Sequence, residues 1–448
     1  METVTSVNKP QRTNAVMKFV LFSTIGVIVF FVSLFEYNGT KVTPLVFLLS
    51  IIKDTFGEYL SVFTLILMVV LCVTTLISTF TDKILFISAY HKGDSNLSKV
   101  LYVIGAIFSI MIYSKIGPKW VLHPDVGGLA FSLAGSVFLT VALAGALVTL
   151  LSEFGLLEII GTLMEPLMRP LYKVPGHAAV DGTASFVCAP AVGVFLTNKV
   201  YCNKGYTKRE AACVATNFSV CSLGFFVLLT DWGGIPHLYT AAVLTSFFIV
   251  FIMSPIVIRI PPLSLIPDEF IDGTSQKTPE RILFQGIFSR ALKKAIDRAE
   301  STDVSVLLTG FKESLVFAQK IAAYVVAIAT LSLAIATFTP LFQWIGIPIA
   351  PILNLFGLPN AAEIAPSVLV GISEIALPVL LIAGKSIAEA SVFFIVVLTT
   401  VQIIFFTESA NAIMESDIPL GIGKLVIIFL IRTAIAIPLV AIATHLLF

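Results

Sequence analysis

The most constraining feature of the sequence is an apolar segment that cannot form one continuous spanning helix. It runs from Gly176 to Lys199, GHAAVDGTASFVCAPAVGVFLTNK, and contains Gly182 and a central Pro190. Such residues free backbone polar groups, which a bilayer tolerates only where protein or a water-filled cavity covers them. Two half-helices that meet at a small-residue tip satisfy this condition, and many transporters build their substrate sites in this way. The segment is therefore predicted to be a re-entrant hairpin and the first candidate site.

The rest of the chain predicts an all-α polytopic membrane protein. Of its 448 residues 57% are hydrophobic and 12% are charged, which leaves no room for a large soluble domain. The net charge of +1 argues against a nucleic-acid partner, and the apolar runs make the lipid bilayer the expected partner. Nine runs are predicted to span: Lys18–Phe35, Tyr59–Phe80, Lys99–Ile116, Gly127–Leu151, Glu210–Leu229, Pro236–Ile258, Leu315–Phe338, Ile387–Phe406 and Leu420–Leu447.

Two further segments are predicted to lie at the membrane surface. Val42–Ile52 is short, contains Pro44 and is bounded by charges, so we expect an interfacial or re-entrant element. The polar segment 261–313 is predicted to be a cytoplasmic linker. It contains an amphipathic helix with an apolar face on the inner leaflet, made of Ile282, Leu283, Ile287, Phe288, Leu292 and Ile296.

The distribution of Lys and Arg predicts the orientation. Most of these residues fall in segments on the same side as the N-terminus, provided that Gly176–Lys199 enters and leaves on one side. The positive-inside rule then places the N-terminus in the cytoplasm and, with an odd number of spans, the C-terminus outside. The expected location is the inner (cell) membrane of a bacterium.

An internal repeat relates two parts of the chain. The segment EIIGTLMEPLMRPLYKVPG resembles IGIPIAPILNLFGLPN, and each is followed by a broken apolar stretch and then by a span that opens with Glu-Ala. Each copy reads as span, interfacial helix, hairpin, span, span, and the charge distribution makes the copies run in opposite directions. The predicted parts are a three-span scaffold (1–126), a first repeat (127–260), the linker (261–313) and an inverted second repeat (314–448).

With these motifs the chain resembles the Gate (nucleoside-recognition) membrane proteins, and among them the YjiH family. Its element order is similar to that of concentrative nucleoside transporters, whose first hairpin tip reads Gly-Gln-Thr-Glu-Ala-Pro. The nearest stretch here is Ser185-Phe186-Val187-Cys188-Ala189-Pro190, which lacks the base-reading Gln and Glu. Their second tip, Asn-Glu-Phe-Val, corresponds to Ser373-Glu374-Ile375-Ala376, which keeps the acid.

The resemblance implies a substrate site between the two hairpin tips, contacted by the helices that begin at Glu210 and Ile387. The implied substrate-binding residues are Ser185, Phe186, Cys188, Asn217, Ser373, Glu374, Thr407, Glu408 and Asn411. The implied ion-binding residues, whose oxygen ligands suit a hard cation, are Asp181, Thr183, Ser219 and Ser222. Na⁺ or H⁺ is the implied coupling ion, and no other cofactor or metal is expected.

Several residues allow alternatives. An isolated carboxylate in an apolar run costs about 3 kcal/mol or more, which makes Glu374 a proton-binding candidate or a hydrogen-bonded structural acid. Glu408 could equally be a helix-end charge, and the hydroxyls could bond their own helices. Arg432 could reach the interface, pair with an acid or face the cavity, whereas Glu165 and Arg169 are predicted to pair at i, i+4.

The expected function is elevator-type secondary transport of a small polar metabolite by a homo-oligomer, a dimer or a trimer. Backbone N–H groups near Ala189 and Ala376 would favour a carboxylate or carbonyl on the solute, so amino acids or peptides rank before nucleosides. The alternative is a non-transporting Gate protein that assembles with a membrane partner and regulates it, and a channel is a weaker one. The sequence contains no P-loop, HExxH or nucleophile elbow, so an enzyme is not expected.

Overall fold

The computed structural model describes residues 9–32, 34–37, 40–81, 84–91, 94–187, 189–275 and 286–448. Within them the fold is helical apart from one antiparallel pair of strands, β1 (Phe35–Tyr37) and β2 (Thr40–Val42). Three residues singled out in the sequence, Cys188, Ile282 and Leu283, lie outside the described residues.

The N-terminal part contains α1 (Lys9–Phe31), α2 (Pro44–Phe80), α3 (Leu85–Tyr90) and α4 (Asn96–Ser114). The prediction of a re-entrant element at Val42–Ile52 is wrong, because Val42 ends β2 and the residues from Pro44 onward belong to the continuous helix α2. An interfacial position for this part of α2 remains a prediction. Thr43 caps the helix by accepting a hydrogen bond from the Val46 N–H at 3.4 Å. Pro44 occupies the first turn, where its missing N–H costs nothing.

The first repeat begins with a π-helical turn, Pro124–Gly128, that leads into the long helix α5. Its helices are α5 (Leu129–Ser152), α6 (Leu156–Tyr172), α7 (Ala178–Val187), α8 (Pro190–Cys202), α9 (Lys208–Asn217), α10 (Leu223–Trp232) and α11 (Tyr239–Val257). The stretch predicted to be a hairpin forms two packed helices, α7 and α8, which we call the first hairpin. The predicted span Glu210–Leu229 is not continuous, since residues 218–222 between α9 and α10 are not helical.

The remaining helices begin with α12 in the linker and continue through the second predicted repeat. They are α12 (Ile287–Ser301), α13 (Val306–Tyr324), α14 (Thr330–Phe338), α15 (Leu341–Gly346), α16 (Ile349–Leu355), α17 (Ala361–Ile364), α18 (Ser367–Val370), α19 (Leu377–Leu380), α20 (Glu389–Gln402), α21 (Ser409–Glu415) and α22 (Ile422–Leu447). A π-helical turn, Val325–Ala329, joins α13 to α14. Helices α17 to α19 form the second hairpin. The predicted span Ile387–Phe406 is also wrong at its end, because helix α20 stops at Gln402 and residues 403–408 are not helical.

Seven helical segments of the described chain are long and apolar enough to cross a membrane. They are Thr13–Phe31, Tyr59–Phe80, Asn96–Ser114, Pro124–Ser152, Pro236–Val257, Val306–Phe338 and Ile422–Leu447. The other two predicted spans are the two interrupted ones, α9–α10 and α20–α21, whose pieces are too short to cross alone. The protein is therefore a multi-pass helical membrane protein, and nine crossings remain a prediction.

The linker packs against the first repeat. Helix α12 contacts α6 and α1 through Ala291, Ala295 and Ala299, while Phe288 and Leu292 of the predicted apolar face stay exposed. The close approach requires Gly155, whose φ is +104° and whose added Cβ would lie 2.5 Å from the Ala295 carbonyl oxygen. The linker helix thus buries small residues against protein and leaves Phe288 and Leu292 exposed, and their contact with the inner leaflet remains a prediction.

The turn that follows the first hairpin is bonded to the start of the linker. Arg209 pairs with Asp268, and Lys208 pairs with Glu269 at 3.3 Å. Lys204 donates to Asp272 at 2.6 Å, and this hydrogen bond holds the pKa of the exposed Asp272 carboxyl below its ordinary value. Three ion pairs therefore connect the base of the first hairpin to residues 268–272.

The two predicted repeats contact each other through their long helices and their hairpins. The long helices α5 and α13 pack along each other, and α20 packs against α22 and α11. The second arm of the first hairpin, α8, contacts α21, whereas the last helix of the second hairpin, α19, contacts α10. Each hairpin therefore lies against the half-helix that follows the break in the other repeat.

Candidate functional site

The candidate site is the region where the two hairpins meet the two helix breaks. Ser185 of the first hairpin donates to the Val220 carbonyl in the first break at 2.7 Å. In the second break, the Phe406 N–H donates to the Ile372 carbonyl of the second hairpin at 2.8 Å. These bonds satisfy backbone groups that a continuous helix would have paired internally, so the breaks are stable inside the protein.

The second break is strained at its first residue. Ile403 has a φ of +67°, which is rare for a β-branched residue. Ser409 stabilises this turn by donating to the Ile403 carbonyl at 2.5 Å and accepting from the Phe405 N–H at 3.0 Å. Asn411 donates to the Phe406 carbonyl and is buried, and Thr407 is buried between them. The predicted residues Thr407 and Asn411 thus belong to the framework of the break.

Glu408 extends from the second break to the tip of the first hairpin. Its Oε1 accepts the Ala191 N–H at 3.0 Å, close to the N-terminus of α8, which carries a partial positive charge. Its buried neighbours are Thr407 and Ser409, whereas Glu408 keeps partial accessibility. Lys53 on α2 interacts electrostatically with this carboxylate. Glu408 is therefore a carboxylate at a hairpin tip, with one oxygen bound to a helix of the other repeat.

Glu374 lies in the second hairpin, between α18 and α19. It is 3% exposed, and its Oε2 accepts the N–H groups of Ala376 at 2.5 Å and Leu377 at 3.0 Å. Glu374 and Glu408 are also close enough to repel each other. The prediction of free N–H groups near Ala189 and Ala376 needs correction, because protein carboxylates already occupy the N–H groups of Ala191 and Ala376. The tips therefore present acceptors rather than donors.

Arg432 on α22 connects the two breaks. It is fully buried and donates to the Asn217 Oδ1 at 2.7 Å, to the Val401 carbonyl at 2.6 Å and to the Gln402 carbonyl at 3.0 Å. Asn217 is the last residue of α9 and Gln402 the last of α20, so the guanidinium lies where both helix ends carry partial negative charge. The three alternatives for Arg432 are thus replaced by a fourth, a buried link between the two helix ends.

The four predicted ion-binding residues lie in different surroundings. Asp181 is buried and its Oδ2 accepts from Thr197 and Tyr206, both at 2.9 Å, while its Oδ1 has no partner among the described atoms. Thr183 is exposed and donates back to the Ala179 carbonyl at 2.5 Å. Ser219 and Ser222 lie in the first break. The structure therefore does not bring Thr183 to the others, and it describes no group of three His, Cys, Asp or Glu side chains fit for a metal.

The other predicted substrate residues line the same region. Phe186 packs against Phe247 of α11 and Phe226 of α10, with ring centroids 5.3 and 6.2 Å apart, so it fills an apolar space. Ser373 is buried beside Glu374. Asn217, besides accepting from Arg432, donates to the Cys213 carbonyl at 2.9 Å.

Several charged residues of this region make contacts that the sequence does not predict. The predicted pair Arg169–Glu165 is confirmed at 2.8 Å, and Arg169 also binds Glu210 at 2.5 Å. A buried group formed by Asp94, Lys320 and Glu415 was not predicted at all. The available signal was Lys320, a charged residue inside the apolar run Leu315–Phe338.

Together, the fold and the site define a multi-pass membrane protein built from two hairpins and two broken helices. A family model described as "Gate: Nucleoside recognition" matches residues 134–234, from α5 through the first hairpin to the end of α10. A protein of Alkalihalophilus pseudofirmus strain OF4, described as uncharacterized, is 32% identical over 456 residues, which cover 100% of this chain and 96% of the relative. The chain belongs to the Gate (nucleoside recognition) family, while its placement in the YjiH group remains a prediction.

Proposed function

We propose that the protein is an ion-coupled secondary transporter of a small polar metabolite, acting by elevator-type alternating access in a bacterial cell membrane. The observation that carries this proposal is the convergence of both hairpins on both helix breaks. Non-helical backbone at membrane depth is characteristic of transporter binding sites. The Glu408–Ala191 and Arg432–Asn217 bonds connect the two repeats at this point.

In this mechanism the hairpins and broken helices move as one body, which we call the hairpin unit. The first three spans and the interfacial helices α6 and α15–α16 form a fixed scaffold and the contact between protomers of a dimer or trimer. The N-terminus is cytoplasmic, and the first hairpin enters from inside and the second from outside. The ion pairs at the base of the first hairpin lie on the basic, cytoplasmic side of the chain.

The chemistry of the tips favours a solute that carries an amine. Glu374 and Glu408 repel each other when both are ionised, so a cation or proton between them stabilises the site. Phe186 packs in an aromatic cluster and offers no polar edge to a base. We therefore rank amino acids and dipeptides first and nucleosides second, with H⁺ or Na⁺ as the coupling ion.

A second candidate function is a non-transporting Gate protein that regulates a membrane partner. The observation in its favour is that Glu408 and Glu374 satisfy hairpin N–H groups without a ligand. The transporter is preferred because a scaffold has no need for the buried carboxylate Glu374, which costs free energy and lies close to a second carboxylate, Glu408.

Uptake into proteoliposomes and thermal-shift binding with amino compounds, uridine and adenosine distinguish these functions. We expect an amino compound to stabilise the protein and to accumulate, and Glu408→Gln to weaken its binding about 10-fold or more. The matched control is Glu389→Gln, whose side chain is 60% exposed at the start of α20. Micromolar stabilisation by a nucleoside alone reverses the ranking, and a folded protein that accumulates none of these solutes supports the regulatory function.

A further inference from the structure

A buried cluster of charges lies away from the hairpin tips. Lys320 of α13 is 8% exposed, and its Nζ lies 2.5 Å from Asp94 Oδ1 and 3.8 Å from Glu415 Oε1. His91 Nδ1 lies 2.7 Å from Asp94 Oδ2, and Tyr102 donates to Glu415 Oε2 at 2.8 Å. We call these five residues the Lys320 cluster.

The cluster contains one more acid than base when His91 is neutral. Asp94 is well compensated, because its two oxygens bind Lys320 and His91. Glu415 has Lys320 only at 3.8 Å, and the other groups that face it are hydroxyls and acids. These are Tyr102 of α4, Tyr324 of α13, Tyr90 of α3, Asp94, and Asp417 of its own segment. Glu415 is therefore the carboxylate that gains most from a proton.

The Lys320 cluster lies across the boundary between the fixed scaffold and the hairpin unit. Tyr102 lies on α4 and Asp94 directly precedes this helix, so both belong to the scaffold. Lys320 lies on α13, which packs against α2 and α4 and in this mechanism stays with the scaffold, whereas Glu415 ends α21 of the hairpin unit. A cavity of about 510 Å³ lies along this boundary and is lined by Lys320, Glu415 and the exposed Cys202 of α8. When the hairpin unit moves, Glu415 must leave Lys320, and an ionised carboxylate then loses its countercharge inside the protein.

We propose that Glu415 is a proton-binding site that couples protonation to movement of the hairpin unit. When the Glu415 carboxylate is ionised, its attraction to Lys320 at 3.8 Å keeps the unit in the position seen here. Protonation neutralises the cluster, removes this attraction and lets α21 leave the scaffold, while Lys320 stays with Asp94. This inference rests on the proposed elevator movement, and it places the coupling proton at the boundary of the unit rather than between the hairpin tips.

Alkylation of Cys202 tests the proposal without a solute. The protein is the full chain with Cys202 as its single cysteine, made with Cys72→Ser, Cys188→Ser, Cys213→Ala and Cys221→Ala. Its alkylation rate with a maleimide is measured at about pH 5.5 and 7.5 and divided by the rate of the denatured protein at the same pH, which removes the titration of the thiol in the unfolded chain. All measurements are made with Asp417→Asn in the background, because Asp417 accepts from the Cys202 thiol at 3.2 Å and its own titration would change the reactivity of the thiol. We expect the normalised rate to be about fivefold or more lower at pH 5.5 than at pH 7.5, because the cavity beside Cys202 closes when the hairpin unit is released.

Four variants separate the proton site from a structural role. Glu415→Gln should give the low-pH rate at both pH values, whereas the control Glu313→Gln, which lines the same cavity with a 49% exposed side chain, should keep the pH response. The swap Lys320→Glu/Glu415→Lys should restore the high-pH rate at pH 7.5 if a single substitution destabilises the fold. A wild-type pH response in Glu415→Gln, or its loss in His91→Gln alone, overturns the proposal.

Uptake measurements keep this inference distinct from the proposed function. A Glu415-dependent pH response in a protein that transports none of the solutes supports the proton site and contradicts the transporter. Uptake that persists without any pH response at Cys202 supports the transporter and contradicts the proton site.

Discussion

Replacing Arg432 with Met tests the idea that one buried side chain holds the two helix breaks together. Methionine fills a similar volume without donors, so the Asn217 Oδ1 and the Val401 and Gln402 carbonyls lose their partner. Three buried acceptors at about 1–3 kcal/mol each amount to about 3–9 kcal/mol. Removing a buried guanidinium returns several kcal/mol of desolvation free energy. We expect a net loss of about 2–4 kcal/mol in the free energy of unfolding.

The Arg432→Lys variant tests whether the geometry of the guanidinium, and not its charge alone, stabilises the two helix ends. Lysine keeps the desolvation cost of a buried charge but lacks the planar fork that reaches three acceptors, so it should destabilise at least as much as methionine. Equilibrium unfolding of the purified protein by denaturant measures both variants. Lys424→Met, an exposed position on the same helix, is the control and should change little. A methionine variant within about 0.5 kcal/mol of wild type, or a lysine variant milder than methionine, refutes the account.

Three further predictions follow from the hairpins. Cysteines at Lys204 and Lys385 should react only with inside and only with outside reagent, respectively, and the same sidedness at both would contradict the inverted repeat. Glu374→Gln keeps an acceptor for the Ala376 N–H but loses the charge, so uptake should fall about tenfold or more while the melting temperature changes little. A loss of stability that parallels the loss of uptake would show that Glu374 has a structural role. Gly371→Ala should destabilise by about 1–3 kcal/mol in denaturant unfolding, because the new Cβ would lie 2.8 Å from the Gln402 Oε1. The Gln402 amide cannot turn away easily, since its Nε2 donates to the Val368 carbonyl and to Thr433 Oγ1. Gly423→Ala, with nothing within 4 Å, should be neutral, and equal effects at both glycines would contradict the packing argument.

The hairpin and the order of elements could be predicted because proline and glycine mark them locally. Pro190 begins α8, as expected for a residue that lacks an N–H and fits the first helical turn. The broken helices could not be predicted in this way. Residues 218–222 read FSVCS and residues 403–408 read IIFFTE, without glycine or proline. These breaks depend on contacts with distant residues, such as Ser185 with Val220, which no local pattern shows.

The candidate site shows the same division. Glu374 was found from the sequence because a carboxylate inside an apolar run is exceptional. The contact between Glu374 and Glu408 and the role of Arg432 depend on how the two hairpins and the two helix breaks meet. A hydropathy pattern contains no information about such long-range contacts. Lys320 carries a comparable signal, but its partners Asp94 and Glu415 are 226 and 95 residues away in the sequence, and no local pattern connects them.

The two hairpins differ in regularity, and this has a kinetic consequence. The first consists of helices of 10 and 13 residues, whereas the second contains three helical pieces of 4 residues each. Short pieces have few consecutive helical hydrogen bonds, so they open locally at a lower free energy than long ones. Amide hydrogen exchange should therefore be faster across residues 361–380 than across 178–202. In a transport cycle, the second hairpin would then open and close many times for each displacement of the whole unit, so solute exchange on its side is fast and the rigid-body step sets the turnover.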